Sequence, residues 1–160
     1  MGRKPKILKL REDYRPLLLE TKKLFPTLLG HVKTKRIALV GMYARKSGFI
    51  GRIFANRPPY SLLVEDYDYL IMFWSTRFDD KPHSYKIYVM LHELAHITEG
   101  GFVNGAPDYR KCIRHDIEEF TFLAERYGIN LENVKDVMKG EKHLLNKDGV
   151  RRFPRVETIH

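Results

Sequence analysis

The chain has 160 residues and carries 29 Lys plus Arg against 20 Asp plus Glu, a formal net charge of +9. At this length one compact domain that buries its own core is the default, and 43% hydrophobic with 31% charged residues excludes wholesale disorder. No apolar run approaches the ~18 residues of a membrane helix, and a single cysteine, Cys112, excludes an internal disulfide or a Cys-based zinc knuckle.

The basic start, MGRKPKILKLRED, lacks the apolar stretch of a signal peptide. A cytoplasmic protein with no membrane association is therefore expected. Residues 12–25 space Leu17, Leu18, Leu24 and Phe25 as a helix does, with Pro16 in the first turn and Pro26 as the exit. Residues 36–42 form a short β-prone run. Residues 48–55 alternate weakly and read as a paired strand with a bulge at Gly51. Residues 67–74, YDYLIMFW, are the strongest strand in the chain. That strand reads as an ordinary core strand, the alternative being an edge that adds an extended peptide. Residues 79–83 turn, and Ser84 is placed to cap a helix running to about Ile97.

Residues 100–107, GGFVNGAP, cannot form a regular element. A second helix follows and ends near Gly128, and a short third helix runs from Asn130 to Met138. The fold class expected is α+β, a small domain with an N-terminal helix, a short mixed sheet backed by helices, a motif-bearing helix and a following packed helix. Residues 1–138 are expected to form that single domain, with 139–160 a basic, weakly ordered tail.

The chemistry sits at His92-Glu93-Leu94-Ala95-His96, an HExxH motif. Residues four apart share one helix face, so the two imidazoles stand side by side and can hold one zinc ion. Glu93 lies about 100° round the axis, within reach of a water on the metal without being a ligand. The carboxylate can take that water's proton and later protonate the leaving amine of a cleaved peptide bond. With 7 His and 11 Glu, about one shuffled chain in fifty carries the motif by chance. Its place inside an independently expected helix makes chance a poor explanation.

A catalytic zinc wants three protein ligands and an open position. His115 is the first choice for the third. Glu118 and Glu119 are the alternatives, since two His with one Glu is an established zinc set. Asp116 to Glu119 fits a capping box that leaves His115 free just ahead of a helix; a helix continuous from Asp108 would instead favour Glu119. Glu99, Asn104 and Asp108 are weaker candidates. Cys112 reads as inert, and Tyr109 as a packed or surface side chain rather than an oxyanion donor.

The charge is uneven. Residues 1–60 hold 15 basic and 3 acidic side chains, while residues 61–160 hold 14 basic and 17 acidic. A solvated surface explains this, and a polyanion-facing patch is the sharper alternative. Its candidate nucleic-acid contacts are Lys33, Lys35, Arg36, Arg45, Lys46 and Arg52.

The chain resembles the zinc metallopeptidases found in phages and archaea. The resemblance is carried by Tyr67-Asp68-Tyr69, Trp74-Ser75 with Phe78-Asp79, the run from Tyr88 to Ile97, His115-Asp116-Ile117-Glu118-Glu119-Phe120, and Tyr127-Gly128-Ile129. It spans roughly residues 35–130 and departs from the family in the roomier loop at 100–107. A looser likeness is to SprT-type proteases. The resemblance implies His92, His96 and His115 as ligands of one Zn2+ ion, Glu93 as the base, and a peptide or protein as substrate. The alternative function is a nucleic-acid-associated metalloprotein: a zinc protease acting on DNA-bound proteins, or a non-catalytic zinc-binding module.

Overall fold

The computed structural model describes residues 7–58 and 66–107. In chain order these form β1 (Ile7–Leu10), α1 (Arg15–Leu24), α2 (Pro26–Leu29), β2 (Ile37–Tyr43), β3 (Gly51–Ala55), β4 (Tyr69–Trp74), α3 (Ser75–Phe78) and α4 (His83–Leu94). The expected second and third helices and the tail lie outside the described residues. No helix among the described residues is long and apolar enough to cross a membrane.

The strands make one four-stranded mixed sheet in the order β1-β2-β4-β3. β2 and β4 pair in parallel, Ile37 opposite Tyr69 through Met42 opposite Trp74. β1 and β3 flank them antiparallel. The central strands need apolar side chains on both faces, because each face is covered. β2 accordingly reads IALVGMY and is buried from Ile37 to Met42. Leu39, Ile71 and Phe73 face a core shared with the helices, while Ala38, Val40, Met42, Leu70 and Met72 form a second cluster on the opposite face. β4 is thus a core strand, as its density of aromatic and aliphatic residues implies, and the edge nearest the motif helix is β3.

α4 lies beneath this sheet and beside α1. A helix apolar all round belongs in an interior. Of its twelve residues, Tyr85 and every position from Ile87 to Leu94 are buried. α1 buries Leu17, Leu18 and Thr21, and the Thr21 hydroxyl donates to the Leu17 carbonyl at 2.8 Å, which satisfies a buried polar group locally.

Four local expectations are corrected. Pro26 does end α1, but it also opens α2, since its fixed φ suits a first helical turn. The N-cap of α4 is Pro82, with no side-chain cap, so Ser84 lies inside the helix. The α-helix stops at Leu94 rather than Ile97. Gly51 is not a bulge: it opens β3 in register with Phe73, and a Cβ there would stand 2.8 Å from Val89 Cγ1. The glycine lets β3 approach α4 closely.

Candidate metal centre

The motif occupies the C-terminal end of α4. Ala95 N–H still reaches the Leu91 carbonyl, but His96 N–H bonds Glu93 O at 3.2 Å and Ile97 N–H bonds Leu94 O at 3.0 Å. The final turn tightens from four-residue to three-residue spacing, which satisfies carbonyls at a helix end. His92 is fully buried, and Glu93 and His96 are 3% and 2% exposed. The rings of His92 and His96 lie 5.0 Å apart at 88° to one another. Two imidazoles on one tetrahedral zinc, with Zn–N of about 2.0–2.1 Å, put their ring centres roughly 5 Å apart. The pair therefore fits such an ion despite the tightened turn.

Glu93 faces the start of β3, where its Cγ lies 3.7 Å from the position a Gly51 Cβ would take. Glu93 is thus brought under the start of β3, at the same helix end as the paired imidazoles. Among the described residues no three metal-ligating side chains converge. His115, Glu118 and Glu119 lie outside the described residues, as do Asp108, Tyr109 and Cys112. Glu99 is exposed, and Asn104 belongs to a turn.

That turn explains the loop after the helix. Asn104 and Gly105 have φ of 53° and 79°, and Val103 and Ala106 exchange both backbone hydrogen bonds at 2.8 and 3.1 Å. Positive φ at both central positions, with Asn-Gly between paired residues, makes a type I′ hairpin. The Asn-Gly pair is the signal in the sequence for it. The Arg57 guanidinium lies against Gly105, where a Cβ would be 2.5 Å from Nη1. Phe102 packs edge-on to Tyr69 with ring centres 4.6 Å apart, and its N–H donates to the Tyr69 hydroxyl at 3.3 Å. His31, just past α2, contacts the Ile97 carbonyl through Nε2 at 2.5 Å, which requires that nitrogen to carry the proton. The chain leaving His96 is therefore tied down from both sides.

The basic candidates do not form one patch. Lys33, Lys35 and Arg36 precede β2, whereas Arg45 and Lys46 follow it, at opposite ends of a seven-residue strand. Arg36 also pairs with Asp68 at 2.9 Å. Arg52 lies on β3, its guanidinium 5.4 Å from the Phe54 ring centre.

A second polar cluster, not anticipated from the sequence, lies where Arg11 meets α3. Arg11 donates to Tyr43 at 2.7 Å and to Asp79 at 2.8 Å, and bonds Asp13 as well. The Tyr14 hydroxyl donates to Asp79 and accepts from Ser75. Hydrogen bonding to Asp13 and Asp79 outweighs burial and holds Arg11 well above its usual range. Burial first, and Asp79 second, push the Tyr14 phenol above the ordinary tyrosine range. Partners separated by more than sixty residues leave no local pattern that would reveal this cluster.

Comparison with curated proteins and with solved structures finds no match. The profile of one family, described as "Putative phage metallopeptidase", matches residues 11–141. That span takes in β2 to β4, the polar cluster, the HExxH helix and the expected downstream ligands, and exceeds the stretch on which the resemblance rested. With an α+β fold whose buried helix ends in the HExxH pair and a family match over most of its length, the chain belongs to the putative phage metallopeptidase family.

Proposed function

We propose that the protein is a zinc-dependent peptidase in which Glu93 is the general base. The observation that carries this reading is the buried, edge-on pair of His92 and His96 with ring centres 5.0 Å apart, and Glu93 beside the start of β3. His92 and His96 would hold the metal, with His115 as the third ligand and Glu119 or Glu118 as the alternatives. When bound, zinc supplies Lewis acidity that lowers a water's pKa toward neutrality and polarises the scissile carbonyl. Glu93 accepts the proton of the attacking water and returns it to the leaving amine.

The backbone of β3 supports a place for the substrate. Trp74 N–H bonds Ile50 O and Asn56 N–H bonds Asp68 O, so in this register the even-numbered residues of β3 exchange hydrogen bonds with β4. The N–H and C=O groups of Gly51, Ile53 and Ala55 then point away from β4, to an edge that no strand covers among the described residues. An extended peptide adds there as a further strand, a recurrent mode of peptide recognition, and passes Glu93 beside Gly51.

The test is Glu93→Gln. The purified variant is expected to retain about one zinc per chain, with hydrolysis reduced by about 10²- to 10⁴-fold, the range of general acid–base catalysis. Full activity in that variant, against a peptide the native chain cleaves, would overturn the assignment of the base.

A further inference from the structure

We infer that the strand this edge accepts is acidic, with Asp or Glu on the side chains that share the outer face with Arg52. The inference rests on the peptidase reading for its purpose and on the geometry of β3 for its content.

Arg52 is exposed, and its neighbours in β3, Gly51 and Ile53, are buried toward the helix side. Its side chain therefore stands on the opposite face from Glu93. Because the odd residues of β3 bond outward, an antiparallel substrate strand would meet Arg52 and Phe54 across non-hydrogen-bonded pairs. Those are the pairs in which cross-strand side chains come closest. Arg57 is exposed two residues past the strand, against the Gly105 turn, and Arg45 and Lys46 are exposed in the connection leading to it.

Cations thus lie on β3 and on either side of it in the chain, and none of these four has a carboxylate partner among the described residues. Of the acids between β3 and β4, Asp66 and Asp68 face Arg36 instead, and Glu65 lies outside the described residues. A like-charged strand would be repelled at this edge, and an acidic one is complementary to it. Lys33 and Lys35 precede β2, two strands in from the β3 edge, and Arg36 is paired with Asp68, so none of them extends the cations along that edge, which favours a peptide over a nucleic acid.

The experiment measures binding apart from turnover. Full-length Glu93→Gln protein, loaded with zinc, is titrated into fluorescein-labelled decapeptides that carry Glu, or Lys, at alternate positions of one otherwise constant sequence. The acidic peptide is expected to bind about tenfold tighter at low salt, with the advantage shrinking as salt rises. Arg52→Glu combined with Arg57→Glu should reverse the preference, while Arg52→Lys should keep it; the retained preference in Arg52→Lys guards against a folding artefact. Equal affinities for the two peptides would overturn the inference. So would tighter binding of a single-stranded oligonucleotide that is lost in the double variant. Native protein that binds the acidic peptide yet cleaves nothing would sink the peptidase reading and leave this one standing. Cleavage indifferent to substrate charge would do the opposite.

Discussion

The two polar clusters of this domain put the same kinds of atoms to different uses. Around Arg11, opposite charges face one another, with Asp79 receiving both the guanidinium and the Tyr14 hydroxyl. Charges arranged in that way cancel, and the result ties β1, the turn before α1, and α3 together. At the end of α4, two like donors face one another, His92 and His96, with a carboxylate-bearing side chain alongside. Two imidazoles with ring centres 5.0 Å apart do not cancel in this way; their spacing suits a shared electrophile. The difference teaches that burial of polar groups does not by itself mark a site, and that the proposed metal site rests on the pairing of like with like.

The comparison can be broken most severely at the histidines. His96→Ala should reduce bound zinc from about one per chain to well below that, and abolish hydrolysis, as read by metal analysis and peptide cleavage. Glu93→Gln should separate the two readouts, sparing the metal while hydrolysis falls as stated above. At the other cluster the effect should be on stability alone. Tyr14→Phe removes a buried donor to Asp79 and is expected to cost about 1–3 kcal/mol by urea unfolding, with the zinc content unchanged. If Tyr14→Phe instead lowered zinc binding, the division between structural and functional clusters would fail.

Two smaller effects sharpen the same contrast by pH. The Tyr14 phenol is raised, so its contribution to stability is complete below the ordinary tyrosine range and is lost as pH rises through its folded value. Absorbance titration should therefore find one tyrosine ionising after the exposed ones, and Tyr14→Phe should lack it. The smallest effect is acidic. Arg36 holds Asp68 below its usual carboxylate range, so this pair stabilises the fold above that range and the contribution fades as pH falls through the folded value. Both partners are substantially exposed, and Asp68→Asn should change the slope of the urea midpoint between about pH 2 and 5 only slightly.

What could be read from the letters follows the range of the interactions. β4 is written in a run of aromatic and aliphatic residues, and the HExxH helix in a local spacing, so both were legible. The neighbour order was not. β2 and β4 are equally apolar, and nothing within either strand says that β3 will sit outside β4. Gly51 illustrates the limit. A glycine in a strand signals either a bulge or a close approach, and only Val89, far along the chain, decides for the approach. The Arg11 cluster was illegible for the same reason, with Asp79 and Arg11 sixty-eight positions apart. The Asn104-Gly105 turn is the opposite case, since its two residues carry their hairpin conformation in their own chemistry.

The strand order also dictates a sequence of assembly. β3 pairs only with β4 among the described strands, and β4 comes later in the chain. β2 and β3 both precede β4 in the chain, and in the folded sheet β4 stands between them. β4 must satisfy a parallel neighbour on one side and an antiparallel one on the other. Non-local pairing of this kind is slow, and it postpones the whole edge on which the substrate is proposed to lie. A chain lacking β4 leaves β3 without its described partner, so the edge proposed for the substrate depends on a strand that comes later in the sequence.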